Sequence, residues 1–171
     1  MGSNQTLANN EPRDLLGAYD RMRSLGFAPG QMTMLGNSMG AATVIEAAPE
    51  LSAVGALVSD SAFANLCAAM EGGLTRYTFL LGLLAITAIE ASRAFGVLPT
   101  LSLVDVVRSL PDRAFLFLHA PGDPLLAVSN ADQLFAASSN RASRLDVVAG
   151  HDHMDTYTHN PAGYLTSSRH E

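Results

Sequence analysis

Gly36-Asn37-Ser38-Met39-Gly40 constrains the fold of this chain more than any other stretch. A serine with a glycine two positions away on either side, set between an apolar run and a helix-forming segment, marks a sharp strand-to-helix turn that displays a nucleophilic hydroxyl. Both flanks are present. Met32-Thr33-Met34-Leu35 reads as a buried strand, and Ala41 to Ala48 reads as a helix stopped before Pro49. The two glycines are expected because so tight a turn leaves no room for a Cβ at either flank while the serine is held in a strained conformation. The plain alternative is a glycine-flanked turn serine with no chemistry.

Strands and helices alternate around this turn. Asn10 precedes Glu11-Pro12, and Leu15, Leu16, Tyr19, Met22 and Leu25 recur at helical spacing until Gly26, which predicts a capped amphipathic helix. Ala53 to Val58 is an apolar run without polar alternation, as a parallel strand covered on both faces should be, and it ends in Ser59-Asp60-Ser61. Residues 63–98 are apolar, helix-like and glycine-interrupted, too long for a simple crossover, and are expected to form a helical insertion over the strand ends. Ser102 is placed to cap a helix over Leu103 to Leu110, and Ala114 to Leu118 forms a third strand ending at His119. After the loop Pro121-Gly122-Asp123-Pro124, Ser129 and Asp132 suggest a capping-box start for a helix through Ala137, and Leu145 to Val148 supplies a fourth strand. A last helix begins at Asn160-Pro161. The expected architecture is one α/β domain over residues 1–171, a parallel sheet flanked by helices, with ligands bound beyond the carboxyl ends of the strands.

With 48% hydrophobic and 15% charged residues, the 171-residue chain can bury a substantial core. A formal net charge of −6 without any Lys/Arg cluster argues against nucleic acid as a partner. The single cysteine, Cys67, allows neither an internal disulfide nor a Cys-based metal site. The polar start lacks the marks of a signal peptide. The most hydrophobic run, Phe79 to Ile89, falls short of the roughly 20 residues that span a bilayer. On this sequence alone, no membrane span and a cytoplasmic location are expected.

A serine hydroxyl needs an imidazole to take its proton and a carboxylate to fix the imidazole's tautomer. Asp123 follows the third strand and His151-Asp152-His153 follows the fourth, so both can meet Ser38 at one edge of the sheet. Spacing leaves His151, His153 and His159 as alternatives. Asp123 has a plainer role as a turn aspartate bonded to its own backbone, and Asp60 competes as the acid because it also follows a strand. His151, Asp152, His153, Asp155 and His159 include good metal-ligand types, but their spacing matches no metal motif, so neither metal nor cofactor is expected.

Gly36-Asn37-Ser38-Met39-Gly40, His119-Ala120-Pro121-Gly122-Asp123 and the His153 segment together resemble the α/β-hydrolase superfamily, in its prolyl-oligopeptidase and serine-aminopeptidase-like branch of bacterial esterases. The resemblance runs from about Glu11 to Tyr164 and includes Ser59-Asp60-Ser61-Ala62-Phe63. It implies a triad of Ser38, His153 and Asp123, with the Met39 backbone N–H as an oxyanion donor. His153 is preferred to His151 because Tyr157, Pro161 and Tyr164 follow it as in related enzymes, while His119 and Asp60 fall at structural positions. The implied activity is hydrolysis of a small carboxylic ester, or amide, through an acyl-enzyme. The resemblance covers only the C-terminal part of such a fold, without the strand that precedes the second oxyanion donor. The alternative is therefore an impaired hydrolase fragment or a non-catalytic module, with a homo-oligomer completing an exposed edge at Met32 to Leu35.

Overall fold

The computed structural model describes residues 10–51, 53–66, 69 and 102–168. Most of the insertion expected at 63–98, including Cys67 and Phe79 to Ile89, lies outside the described residues.

The first helix, α1 (Glu11–Ser24), has Pro12 in its first turn, Glu11 and Asp14 at its positive end, and Arg21 and Arg23 at its negative end, so its charges complement its dipole. Asn10 occupies the cap position in a helical conformation and its side chain makes no capping bond. A short 3-10 turn at Pro29–Gln31 leads into β1 (Thr33–Asn37), which is followed by α2 (Met39–Ala47) and β2 (Ala56–Asp60). From residue 102 onward come α3 (Leu103–Arg108), β3 (Phe115–His119), α4 (Ser129–Ala137), β4 (Arg144–Val147), α5 (Thr156–His159) and α6 (Pro161–Ser168). Ser102 caps α3, its Oγ accepting the Asp105 N–H at 3.3 Å. Ser129 departs from expectation. It lies inside α4 behind Val128, so no capping box forms, and Asn130 instead accepts the Ala64 N–H at 2.9 Å.

Among the described residues, four strands are parallel in the order β1-β2-β3-β4. The register sets Asn37 beside Asp60, Asp60 beside Leu118, and His119 beside Val147. The residues that follow β1, β3 and β4 therefore leave the sheet at the same edge. β2 runs two residues past its apolar segment, because the buried Ser59 and Asp60 still pair with the neighbouring strands.

Burial follows position in the sheet. All of β3 is buried, as are Leu57 to Asp60 of β2. Alternating side chains feed two cores. Leu57, Phe115 and Phe117 pack with Ile45, Leu51 and Leu103, whereas Val58, Leu116 and Leu118 pack with Val148 and Tyr164. Each such large side chain contributes about 1.5–3 kcal/mol on burial. In β1 only alternate residues are buried, and Leu35 is 48% exposed. Between α1 and β1 lies a cleft of about 290 Å³ lined by Tyr19, Met22, Phe27, Met32 and Met34 among others.

Candidate active site

Ser38 stands between β1 and α2 at φ 53°, ψ −116°, a conformation that L side chains rarely adopt. Its N–H donates to the Asp60 carbonyl at 2.8 Å, and its own carbonyl accepts the Ala42 N–H at 3.1 Å. The strained turn is thus held by strand pairing before it and helix bonding after it. A Cβ on Gly36 would come within 2.1 Å of the Gly40 carbonyl oxygen. One on Gly40 would meet nothing within 4 Å, so only the first of the two glycines is required by space.

Asp123 opens the loop after β3. Its Oδ1 accepts the N–H groups of Leu125 and Leu126 at 2.8 and 2.9 Å, which is the turn chemistry expected of Asp before Pro. Its Oδ2 faces His153 Nδ1 at 2.7 Å. Burial pushes the Asp123 carboxyl up, but the hydrogen bond from His153, the two backbone N–H donors and the charge of His153 outweigh it. The group is held below its usual value. His119, fully buried at the end of β3, lies 3.5 Å from the same Oδ2 and bonds the Leu126 carbonyl through Nε2 at 2.9 Å.

His153 reaches the edge on the loop after β4, with Nε2 at 2.7 Å from Ser38 Oγ. Ionised, Asp123 Oδ2 can only accept, so Nδ1 carries a proton, and in the neutral imidazole that tautomer leaves Nε2 to accept from the serine hydroxyl. The loops after β3 and β4 meet backbone to backbone. Gly122 N–H donates to the Gly150 carbonyl at 3.3 Å, and a Cβ on Gly122 would fall 2.8 Å from that oxygen.

Of the three candidate histidines, the structure brings His153 to Ser38. His151 is exposed, its ring set edge to face against His159 at 4.5 Å, and its N–H donates to Asp155 Oδ2 at 3.0 Å. Asp152 is also exposed. Asp60 is engaged by other side chains. Its carboxylate accepts from Thr156 Oγ1 at 2.8 Å, Ser61 Oγ at 2.9 Å and Asn37 Nδ2 at 3.3 Å. Thr156 carries no motif, and reading the sequence passed over it. Met39 is the first residue of α2, so its N–H has no acceptor within the helix. Among the described residues, no group of three or more His, Cys, Asp or Glu side chains is arranged to hold a metal, and no helix is long and apolar enough to cross a membrane.

No family model matches the chain, and no curated protein matches it. Solved structures do. The Pyrococcus furiosus esterase Pf2001 superposes with a TM-score of 0.73 at 18% identity, over 96% of this chain and 62% of its own. The esterase domain of a Rhodothermus marinus protein gives 0.64 at 20% identity, over 95% and 69%. This chain has the α/β-hydrolase fold. An acylaminoacyl peptidase of Pyrococcus horikoshii shares that fold at a TM-score of 0.64 and 10% identity, over 90% of this chain and 25% of its own. The chain thus spans less than two thirds of the Pyrococcus furiosus esterase, and what it shares with that protein is a partial α/β-hydrolase fold.

Proposed function

We propose that this protein is a serine hydrolase that cleaves carboxylic esters, and amides secondarily, through an acyl-enzyme. The observation that carries the reading is the unbroken hydrogen-bonded chain from Ser38 Oγ to His153 Nε2 and from His153 Nδ1 to Asp123, 2.7 Å at each link. The shared fold with two esterases and a peptidase supports the same reading. Ser38 Oγ attacks the substrate carbonyl carbon as its proton passes to His153 Nε2. The ionised Asp123 stabilises the imidazolium, and the Met39 N–H donates to the developing oxyanion. Collapse expels the alcohol, which takes the proton from His153, and water activated by the same histidine releases the acid. Esters are favoured because no feature of the described residues supplies recognition of a peptide chain.

The test is a fluorophosphonate probe with a short-chain aryl ester, applied to wild type and Ser38→Ala. Labelling and turnover confined to wild type are expected; a folded wild type that neither labels nor turns over would overturn the reading. The outer side of β1 favours a second reading. Its Leu35 is half exposed, and Met32, Thr33 and Met34 line an apolar cleft against α1, as in a module that associates through this edge without turnover. Light scattering on the same samples separates a self-associating, unlabelled protein from an active one.

A further inference from the structure

We propose that Asp60 is a positioning residue that holds His153 in register with Ser38; this deepens the hydrolase reading and rests on it. Ser38 and His153 are 115 residues apart, and they come from opposite edges of the described sheet. Asp60, at the carboxyl end of β2, is fully buried and bonded toward both. On the serine side, its backbone carbonyl accepts the Ser38 N–H at 2.8 Å, and its carboxylate accepts from Asn37, the residue before the nucleophile. On the histidine side, the same Oδ2 accepts from Thr156 Oγ1 at 2.8 Å, three residues after His153 and also fully buried. The Tyr164 hydroxyl of α6 faces this carboxylate as well; burial first, then the charge of Asp60, pushes Tyr164 up to about 12. Asp60 Oδ1 is taken by Ser61, so the donors divide between its two oxygens.

The loop from Gly150 to Asp155 is tied at its start to the loop after β3, through the Gly150 carbonyl, and at His153 to Asp123. Met154 sits at φ 62°, and exposed His151 and Asp152 follow Gly150. The Thr156–Asp60 bond therefore fixes the downstream end of this loop against β2, while Asp123 fixes the imidazole itself. Asparagine at position 60 would turn an N–H₂ toward groups that donate, so a change of one atom should mispair the cluster.

The test compares wild type, Thr156→Val and Thr156→Ser, with Asp60→Asn as a second disruption of the same bond. Two readouts are used, well below each variant's melting temperature. One is the second-order rate of Ser38 labelling by the fluorophosphonate. The other is the downfield Nδ1 proton of His153 in ¹⁵N-histidine-labelled protein, assigned by its loss in His153→Gln. Thr156→Val should label roughly 10- to 100-fold more slowly, since a displacement of about 1 Å at a reacting group can cost that much. It should also weaken the Nδ1 signal, and Thr156→Ser should restore both. A folded Thr156→Val with wild-type labelling and an unchanged Nδ1 signal would overturn the proposal and leave Asp60 a pin of the fold. If wild type itself fails to label, the hydrolase reading falls and the Nδ1 signal decides alone: loss in Thr156→Val supports positioning by Asp60, retention refutes it.

Discussion

The two ends of this small sheet are finished to different degrees. At its carboxyl edge, three polar side chains are fully engaged: Asp123 spends both oxygens on named donors, Asp60 does the same, and His153 uses both ring nitrogens, while Ser59 Oγ and His119 Nδ1 are buried there without a partner among the described residues. Along β1 and the segment that leads into it, by contrast, Leu25, Phe27 and Leu35 are about half exposed, and Phe27 with Met32 and Met34 lines an open apolar cleft. An organised polar cluster therefore does not require a sheet that is covered on every side. The pairing at the carboxyl edge is local to the strand ends, whereas cover for β1 must come from residues that lie sideways of it.

The largest effect that tests this contrast is at Ser38 and its two supports. Ser38→Ala should reduce ester turnover to the level of the blank, and Asp123→Asn should lower it by roughly 10³- to 10⁴-fold while leaving the fold intact, as circular dichroism would show. Loss of folding in Asp123→Asn would mean that this edge is a stability device first.

Next in size is the turn. Gly36→Ala must move the Gly40 carbonyl, and should cost about 3 kcal/mol or more together with probe labelling. Gly40→Ala finds open space in a helix and should be neutral or stabilising by about 0.5–1 kcal/mol. Equal damage from both substitutions would show that the turn needs the second glycine for a reason other than space.

A smaller effect belongs to Glu46 on α2. Burial first, then the charge of Glu11, raises its carboxyl to about 7, and its Oε2 is buried without a hydrogen-bond partner among the described residues. A carboxyl whose folded value is raised holds its proton longer in the folded state, so stability falls as pH rises from about 4.5 to about 7 and then levels. Glu46→Gln should remove that fall. With solvent screening allowed for, the gain at pH 8 is about 1 kcal/mol, or roughly 2–4 °C in Tm, and near zero at pH 4. A pH-independent gain would assign the effect to packing.

The smallest expected change is at the exposed edge. Leu35→Lys should leave labelling within about twofold while lowering the light-scattering mass of any self-associated species. Loss of labelling would tie the two regions together after all.

Much of this was legible in the chain. The motif around Ser38 announced the turn, and apolar runs announced β2 and β3 because a strand covered on both faces needs no polar alternation. The strand ends were less clear. Ser59 and Asp60 look like loop, yet they pair with Asn37 and with Phe117 and Leu118, which no local pattern conveys. Spacing did not separate His151 from His153, because loop residues two apart point where the loop's own contacts send them. Gly36 and Gly40 look equivalent in the motif, and only the direction of each Cβ distinguishes them. The Thr156–Asp60 bond joins residues 96 apart, neither in a motif that names the other. The capping expectations divided similarly: Ser102 caps its helix, while Ser129 is displaced inward by Val128.

The close passage of Gly122 over Gly150 also bears on the order in which the molecule assembles. It welds the segment that holds Asp123 to the one that holds His153, across a sequence separation of 30, whereas the serine must be brought in across 115. Chain-closure entropy alone makes the longer connection costlier by roughly 1 kcal/mol. Asp123 and His153 would then meet early, as parts of one β3–β4 unit, and Ser38 would dock onto a pair already formed.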